Sequence, residues 1–223
     1  MKEFKIFVNF KTYQAASGSK AVVLARLCRQ LSKENPAVKI IPIVQALDAW
    51  RVKSAVNIAP WLQHLDWHRS GQATGWINLE TALDAGVAGT LLNHSEHRIP
   101  PGTAKQIIRR IKAKKDVFET IVCVKTLGQV RKWSYLKADF LAFEAAELIG
   151  TGRSISQEKP RAIRKALKIC QKKNLDLLVG AGISTAKDVL LAKKMGAIGV
   201  LVSSAVVLAP DQEKKLKELI RLL

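Results

Sequence analysis

Residues 139–144 read DFLAFE, an apolar run that ends abruptly in the carboxylate of Glu144. Short, nearly continuous apolar runs are typical of strands that are buried on both faces, as in parallel sheets. A carboxylate is seldom placed inside a protein without a partner or a task. The stretch therefore predicts a buried strand that brings an ionisable group to its carboxyl end.

Similar apolar runs recur along the chain. The eight strand-like runs are residues 4–10, 38–44, 56–64, 88–94, 118–125, 139–144, 175–180 and 198–203. Amphipathic helical patterns such as KAVVLARLCRQLSKE separate them, and this alternation predicts a parallel sheet covered by helices. An open doubly wound sheet would usually carry G-x-G-x-x-G after its first strand, and this chain does not. We therefore expect a closed (β/α)8 barrel, an α/β fold, as one domain over residues 1–223.

Composition restricts the class of protein. No apolar run reaches the roughly 18 residues of a membrane-spanning helix, and the start, MKEFKIFVNFKTY, resembles a strand rather than a signal peptide. Cys28, Cys123 and Cys170 lie far apart, without C-x-x-C spacing. This favours buried thiols in a reducing cytoplasm over disulfides or a zinc site.

The chain is strongly basic, with 37 Lys and Arg against 18 Asp and Glu and a formal net charge of +19. Many basic residues lie in two segments, 105–115 and 159–173, which also carry apolar residues at helical spacing. We therefore expect the charges to cover solvated outer helix faces. Nucleic acid is the alternative partner for such a charge, but no recognised binding motif accompanies it.

Polar and small residues collect at the predicted strand ends. They are Asn9, Lys11, His94, Glu96, Glu144, Gly180, Gly182, Ser203 and Ser204. Each alone has an ordinary structural explanation: a surface lysine, a core histidine, an ion pair or a tight turn. A metal pair of His94 with His97 lacks an evident third ligand. Together, on one rim of a barrel, these residues predict a functional site.

The small residues on this rim point to phosphate. Gly182, Ser203 and Ser204 leave backbone N–H groups uncovered by side chains. A short helix beginning at Ser203 would add its N–H groups to those of the glycine turn. The loops after strands seven and eight are the usual phosphate position of a barrel.

Five motifs resemble the triosephosphate isomerase family, in its order and at its spacing: NFKTY, LLNHSE, FEAAELIGTG, VGAGISTAKDV and GVLVSSAVV. The short chain and the phrases ELIGTG and GAGIST are similar to the compact archaeal form of that family. The resemblance implies a TIM barrel that interconverts dihydroxyacetone phosphate and glyceraldehyde 3-phosphate, a reaction of glycolysis and gluconeogenesis. It also implies that no metal or cofactor is required.

The resemblance implies roles for individual residues. This family is itself the standard example of a glutamate base paired with a neutral histidine, which here would be Glu144 and His94. Lys11 would stabilise the enediolate, Asn9 would donate a hydrogen bond, and Glu96 would lie behind the site.

The resemblance places the phosphate between a mobile lid, residues 145–152, and the turns after strands seven and eight. Ile149 and Gly150 of the lid, together with Gly182, Ser203 and Ser204, would contact it. The chain departs from the family pattern at Ala145 and Ala146, where two prolines are usual. It also carries His97 where an arginine is usual, and Ser203-Ser204-Ala205 where Ala-Ser-Gly is usual.

The stretch SGQATGW resembles the subunit-docking loop of the family, with Thr74 at its tip and Trp67 and Trp76 on either side. We therefore expect a homo-oligomer, a dimer or a tetramer. Two other functions are left open: another phosphosugar enzyme on the same barrel, such as a Schiff-base aldolase, and a basic nucleic-acid-binding protein. Lys11 on strand one, rather than a lysine on strand six, disfavours the aldolase.

Overall fold

A computed structural model describes residues 3–114, 118–145, 148 and 153–223. Of the predicted lid, Ala145 and Leu148 belong to the described residues, whereas Ala146, Ile149 and Gly150 lie outside them. None of the helices in the described ranges is long and apolar enough to cross a membrane.

Strands and helices alternate along the chain. The strands are β1 (Phe4–Asn9), β2 (Val38–Val44), β3 (Trp61–Leu62), β4 (Gly89–Leu92), β5 (Glu119–Val124), β6 (Phe140–Glu144), β7 (Asp176–Gly180) and β8 (Gly199–Val202). The helices are α1 (Ser19–Glu34), α2 (Ala46–Val56), α3 (Leu79–Asp84), α4 (Pro101–Ala113), α5 (Leu127–Trp133), α6 (Ile155–Glu158), α7 (Pro160–Gln171), α8 (Ala186–Met195), α9 (Ser204–Val207) and α10 (Gln212–Ile220). Short 3-10 turns cover Gln14–Ala16 and Ser134–Leu136.

The strands form one closed parallel barrel. Each strand pairs with the next along the chain, and β8 pairs with β1. At the closure, Ile6 pairs with Ile40 on one side and with Val200 on the other. The predicted (β/α)8 barrel is therefore confirmed, and the carboxyl ends of all eight strands meet on one rim.

The predicted third strand, residues 56–64, is wrong in its extent. Only Trp61–Leu62 is strand, and Val56 instead ends α2. Val52 and Val56 are both buried and lie four residues apart, which is the spacing of one helix face rather than of a strand. Asn57 then ends the helix in a left-handed conformation, with φ 52°, a geometry that asparagine tolerates better than most residues. The other strands lie within two residues of their predicted bounds.

Alternation along the strands sorts side chains between two cores. Phe7, Trp61 and Phe140 belong to the cluster inside the barrel, where Phe7 meets the Trp61 ring edge-on with ring centroids 4.8 Å apart. Leu141 and Phe143 belong to the cluster between barrel and helices. Because side chains alternate with period two, Glu144 follows Phe140 and Ala142 on the inner face of β6. Strand β6 therefore contributes Phe140 and Ala142 to the interior cluster and places the Glu144 carboxylate at the carboxyl end of that cluster.

Candidate active site

The carboxyl rim of the barrel surrounds a cavity of about 340 Å³. It brings together most of the predicted site residues, which come from β1, β4, β6, β7 and β8 or the turns after them. Its lining includes Asn9, Lys11, His94, Glu144, Gly182, Ser203 and Ser204. Glu96 lines a neighbouring cleft of about 320 Å³ that shares Asn9, Lys11 and His94 with the first. The remaining two predicted contacts, Ile149 and Gly150, lie outside the described residues.

Glu144 is the buried carboxylate of this cavity, with 6% of its surface exposed. Its Oε1 lies 4.0 Å from Nε2 of His94, and its Oε2 has no hydrogen-bond partner among the described residues. Gly180 on the adjacent strand makes room for it, since a Cβ there would lie 2.8 Å from Glu144 Cγ. Within the described part of the chain, one oxygen of a buried carboxylate thus lies in a cavity without a hydrogen-bond partner.

Cys123, on β5, belongs to the interior cluster of the barrel and interacts with Glu144. Burial, followed by the charge and hydrogen bonding of the Glu144 carboxylate, raises the pKa of the Cys123 thiol well above its usual range. The thiol therefore stays protonated at neutral pH. Sequence patterns predicted only a buried thiol at this position, because its neighbour on β6 is 21 residues away along the chain and becomes adjacent only through strand pairing.

His94 is oriented by its own loop. The backbone N–H of Glu96 donates to Nδ1 of His94 across 3.3 Å. The other ring nitrogen, Nε2, then lies on the side of Glu144, 4.0 Å from its Oε1. Asn93, with φ 58°, produces the turn that brings His94 into the cavity, and its Nδ2 donates to the Cys123 carbonyl across 2.8 Å.

Lys11 stands in a left-handed backbone conformation, with φ 49°, which a lysine adopts only when its surroundings impose it. Its N–H donates to Asn9 Oδ1 across 3.0 Å, and its carbonyl accepts from Gln63 Nε2 across 2.9 Å. Its ammonium forms a 2.6 Å ion pair with Glu96. No sequence pattern singles out Gln63, which acts here through the Lys11 backbone.

The opposite end of the cavity is lined by small residues and backbone. Ala181 and Gly182 both have positive φ, 79° and 68°, and Ser203 Oγ is buried without a partner among the described residues. Asp188 fixes this turn, because its Oδ2 accepts from the N–H groups of Ser184 and Thr185 across 3.1 and 2.9 Å. Backbone N–H groups and a free hydroxyl therefore border this end, a composition that suits an anion.

His64 occupies the neighbouring cleft. Its Nε2 lies 3.0 Å from Asp66 Oδ1, and its ring stacks on that of His97 with centroids 4.1 Å apart. Burial lowers the pKa of His64 below its ordinary value, the Asp66 hydrogen bond opposes this, and the charge of a protonated His97 adds to it. The folded protein therefore favours the neutral His64 ring.

We expect the partly buried His64 to lower the free energy of unfolding in mild acid. Well above pH about 6.5, His64 is neutral in the folded and in the unfolded protein. As pH falls through that value, His64 takes up a proton in the unfolded chain before it does so in the folded protein, because its folded pKa is lower. The free energy of unfolding should then fall more steeply from pH about 7 to pH about 5.5 in the wild type than in His64→Gln. Urea denaturation of both proteins over this range measures the difference, and an NMR titration that places the His64 pKa above its ordinary value would contradict the expectation.

The described residues contain no group of three or more His, Cys, Asp or Glu side chains suited to a metal ion. A closed parallel barrel with a carboxylate, an imidazole and an ammonium around a rim cavity defines an enzyme of the TIM-barrel class. The comparison with protein families is more specific. The family model for triosephosphate isomerase matches residues 4–222.

Individual relatives agree with the family match. The triosephosphate isomerase of Methanothermus fervidus is 39% identical over 217 residues, covering 96% of each chain. That of Saccharolobus solfataricus is 38% identical over 221 residues, covering 99% of this chain and 96% of the relative. That of Thermoplasma volcanium is 37% identical over 218 residues and is covered completely. The chain belongs to the triosephosphate isomerase family, and the resemblance noted in its motifs is confirmed.

Proposed function

We propose that the chain interconverts dihydroxyacetone phosphate and glyceraldehyde 3-phosphate, with Glu144 as the base, His94 as the electrophile and Lys11 as the stabilising cation. Membership of the family makes the chain an isomerase of triose phosphates. The observation that supports these roles best is the buried Glu144 carboxylate, which lies 4.0 Å from the His94 Nε2. Its Oε2, in the same cavity, has no hydrogen-bond partner in the ranges that the structure describes.

The proposed reaction moves one proton between two adjacent carbons. The Glu144 carboxylate removes the proton from the carbon next to the carbonyl, and negative charge builds on the carbonyl oxygen. The Nε2–H of a neutral His94 gives its proton to that oxygen, and Nε2 then takes up the hydroxyl proton of the neighbouring oxygen, so that the ring ends neutral and the second oxygen becomes the new carbonyl. Glu144 then returns its proton to the neighbouring carbon, which completes the isomerisation.

Lys11 supplies positive charge beside the developing enediolate, and Asn9 adds a hydrogen-bond donor. The Glu96 carboxylate, which lines the neighbouring cleft, forms an ion pair with the Lys11 ammonium and holds that side chain in position. Gly182, Ser203 and Ser204 are proposed to bind the phosphate through backbone N–H groups and the free Ser203 hydroxyl, with Ile149 and Gly150 of the lid. Side chains of the protein carry out every proton transfer of the proposed reaction.

Two further expectations accompany this function. We propose that residues 1–223 form one domain, since β8 closes the barrel on β1 and α10 packs on α1. We also propose a cytoplasmic location, which agrees with three buried free cysteines. The alternative functions are not favoured: the family match over residues 4–222 supports neither an aldolase nor a dedicated nucleic-acid-binding protein.

The direct test is a coupled assay that follows dihydroxyacetone phosphate formed from glyceraldehyde 3-phosphate. We expect turnover without added metal and in the presence of a chelator. Activity with the triose phosphate but not with unphosphorylated glyceraldehyde would support the proposed phosphate site. A purified, folded protein without turnover would contradict the proposal.

We propose that the Thr74 loop docks on a second copy of the chain, giving a dimer or a tetramer. Trp67 and Trp76 are 44% and 52% exposed, and both rings stack on His68, with centroids 4.3 and 4.1 Å apart. A rigid aromatic stack exposed to water is typical of a protein interface. Leu47, 89% exposed, lines the cleft beside the catalytic cavity and offers a second apolar contact.

Trp76→Arg should therefore shift the protein towards monomer. An arginine breaks the aromatic stack and would bury a charge at the interface, which is costly without a partner. Isomerase activity should fall with dissociation, because Ile77, the residue after Trp76, lines the cleft that shares Lys11 and His94 with the site. Sedimentation velocity with a parallel activity assay measures both, and Val23→Arg, at a comparable exposure of 54% on α1, is the matched control. A fully active wild-type monomer would defeat the proposal.

A further inference from the structure

The barrel brings two basic parts of the chain together on its outer wall. Helix α5 packs against α7, so residues 127–137 and 160–174 share one surface. Neither range contains an aspartate or a glutamate. Nine exposed basic residues lie there and are called the basic surface below: Arg131, Lys132, Lys137, Arg161, Arg164, Lys165, Lys168, Lys172 and Lys173.

Among the described residues, these charges are not paired directly, although Lys137 and Lys173 share a cleft with Asp139 and Asp176. None of the nine forms an ion pair within the described part of the chain, whereas basic residues elsewhere, such as Arg110, Lys112 and Lys217, are paired with Glu80, Asp139 and Glu213. Like charges on one surface repel each other and weaken the folded state. A bound anion would therefore reduce the repulsion among the nine basic side chains and stabilise the folded protein.

The spacing on α7 is regular. Arg161, Arg164 or Lys165, Lys168 and Lys172 recur every three or four residues, so they form one stripe along the helix. From residue 161 to residue 172 the stripe is about 16 Å long, at 1.5 Å per residue. With one phosphate per 3.4 Å along a nucleic-acid strand, it spans about five phosphates.

An aromatic ring extends the stripe. Tyr135 is 69% exposed, and the Lys173 ammonium lies 4.2 Å from the centroid of its ring. This contact links the end of α7 to the turn after α5. Exposed aromatic rings beside basic grooves provide stacking positions for bases of single-stranded nucleic acid.

The surface lacks what a membrane or a protein partner would need. Val130, Trp133, Ile163 and Leu167 of α5 and α7 are buried, and the remaining large apolar residues of these helices, Leu127 and Ile169, are partly buried against the core. Tyr135 is the only large exposed apolar side chain on the basic surface. Without an apolar anchor, neither insertion into lipid nor a buried interface centre is available. The chemistry that matches is a chain of phosphodiesters.

We propose that the basic surface binds the phosphate backbone of nucleic acid without reading its bases. The binding is separate from the isomerase reaction, because none of the nine residues lines the catalytic cavity. Sequence spacing alone favoured solvated helix faces, since it did not show that residues 131–137 lie beside α7.

The test compares two triple variants of the full chain with equal net charge. The first, Arg164→Glu/Lys168→Glu/Lys172→Glu, reverses the stripe. The second, Lys20→Glu/Arg26→Glu/Lys33→Glu, reverses three exposed residues of α1 and serves as the matched control. Binding to fluorescein-labelled duplex and single-stranded DNA and RNA of mixed sequence is followed by anisotropy from about 50 to about 200 mM salt.

For the wild type, neutralising about five phosphates predicts a slope of log K against log salt of about −4.5 on duplex DNA. The stripe variant should bind at least about 10-fold more weakly, with a slope less steep by about three. The α1 variant should keep most of the affinity and the slope. Both variants should retain isomerase activity, which also shows that they fold.

Three results would overturn the proposal. They are no measurable binding by the wild type at the lowest salt, equal weakening by both triple variants, and binding to vesicles of phosphatidylserine and phosphatidylcholine in place of nucleic acid. Equal weakening would mean that net charge alone is responsible. Should the stripe variant lack isomerase activity, the neutral variant Arg164→Gln/Lys168→Gln/Lys172→Gln replaces it, and the same slope change of about three is required.

Discussion

Glu144→Gln should lower kcat by about 10²–10⁴-fold, the usual contribution of a general base. Glutamine keeps the size and shape of the side chain, so it fits the space left by Gly180 and keeps its place on the inner face of β6. It removes the carboxylate that would take the proton. Because the variant also removes a buried charge with an unpartnered oxygen, the folded protein should be at least as stable as the wild type.

The measurements are kcat from the coupled assay and the thermal midpoint of both proteins. Glu119→Gln is the matched control, because Glu119 is a partly buried glutamate at the opposite end of the neighbouring strand β5. Burial raises its pKa above the ordinary value, as expected for a carboxyl group taken from water. Its replacement should leave kcat unchanged. Near-full activity of a well-purified Glu144→Gln would refute the assignment of the base.

Gly182→Ala should abolish most activity and destabilise the fold. Gly182 has φ 68°, and a Cβ there would lie 1.9 Å from the carbonyl oxygen of Arg153 and 3.0 Å from Ser154 N. Backbone atoms cannot move aside as a side chain can, so the turn after β7 or the segment entering α6 must shift. Either movement displaces the N–H groups proposed to bind phosphate, and a displacement of about 1 Å at a binding site costs about 100-fold in rate.

Gly86→Ala is the control that distinguishes the backbone clash at residue 182 from the strain of a positive φ. Gly86 has nearly the same φ, 69°, but its Cβ would meet only the flexible side-chain carbons of Lys53. This control should cost about 1–2 kcal/mol in unfolding free energy, the penalty for a left-handed residue with a Cβ, and leave kcat/KM unchanged. Gly182→Ala should cost more stability and raise KM as well. Equal effects of the two variants on stability, with unchanged kinetics for both, would contradict the proposed phosphate turn.

The barrel could be predicted because its signals are local. A strand buried on both faces is continuously apolar, and a helix that covers it shows a period near 3.6, so the alternation of β1 to β8 with helices is visible in residue order. The ambiguous part was residues 56–64, where Val52 and Val56 contribute to a helix face while Trp61 and Leu62 contribute to a strand. Short apolar runs of this kind do not distinguish the two.

Part of the candidate site could be predicted for the same reason. Strand periodicity places Asn9 and Glu144 on the inner face, in line with Phe7 and Phe140, and parallel strands end on one rim. His94 does not follow from periodicity, because the left-handed turn at Asn93 interrupts the alternation. It was selected as the last residue of the predicted fourth strand, 88–94, and the motif LLNHSE then implied its role.

The sequence by itself thus determined the alternation, the closed barrel, the family and the rim on which the candidate catalytic residues meet. Only the tertiary structure decided which distant groups touch: Cys123 with Glu144, Gln63 with the Lys11 carbonyl, and Lys173 with Tyr135. It also joined the charges of α5 and α7 into one surface. The order of neighbouring residues determines the apolar periodicity and the ends of each helix and strand, because backbone geometry sets the repeat of each element. Contacts between elements depend instead on strand register and helix packing, which many residues far apart in the chain fix together.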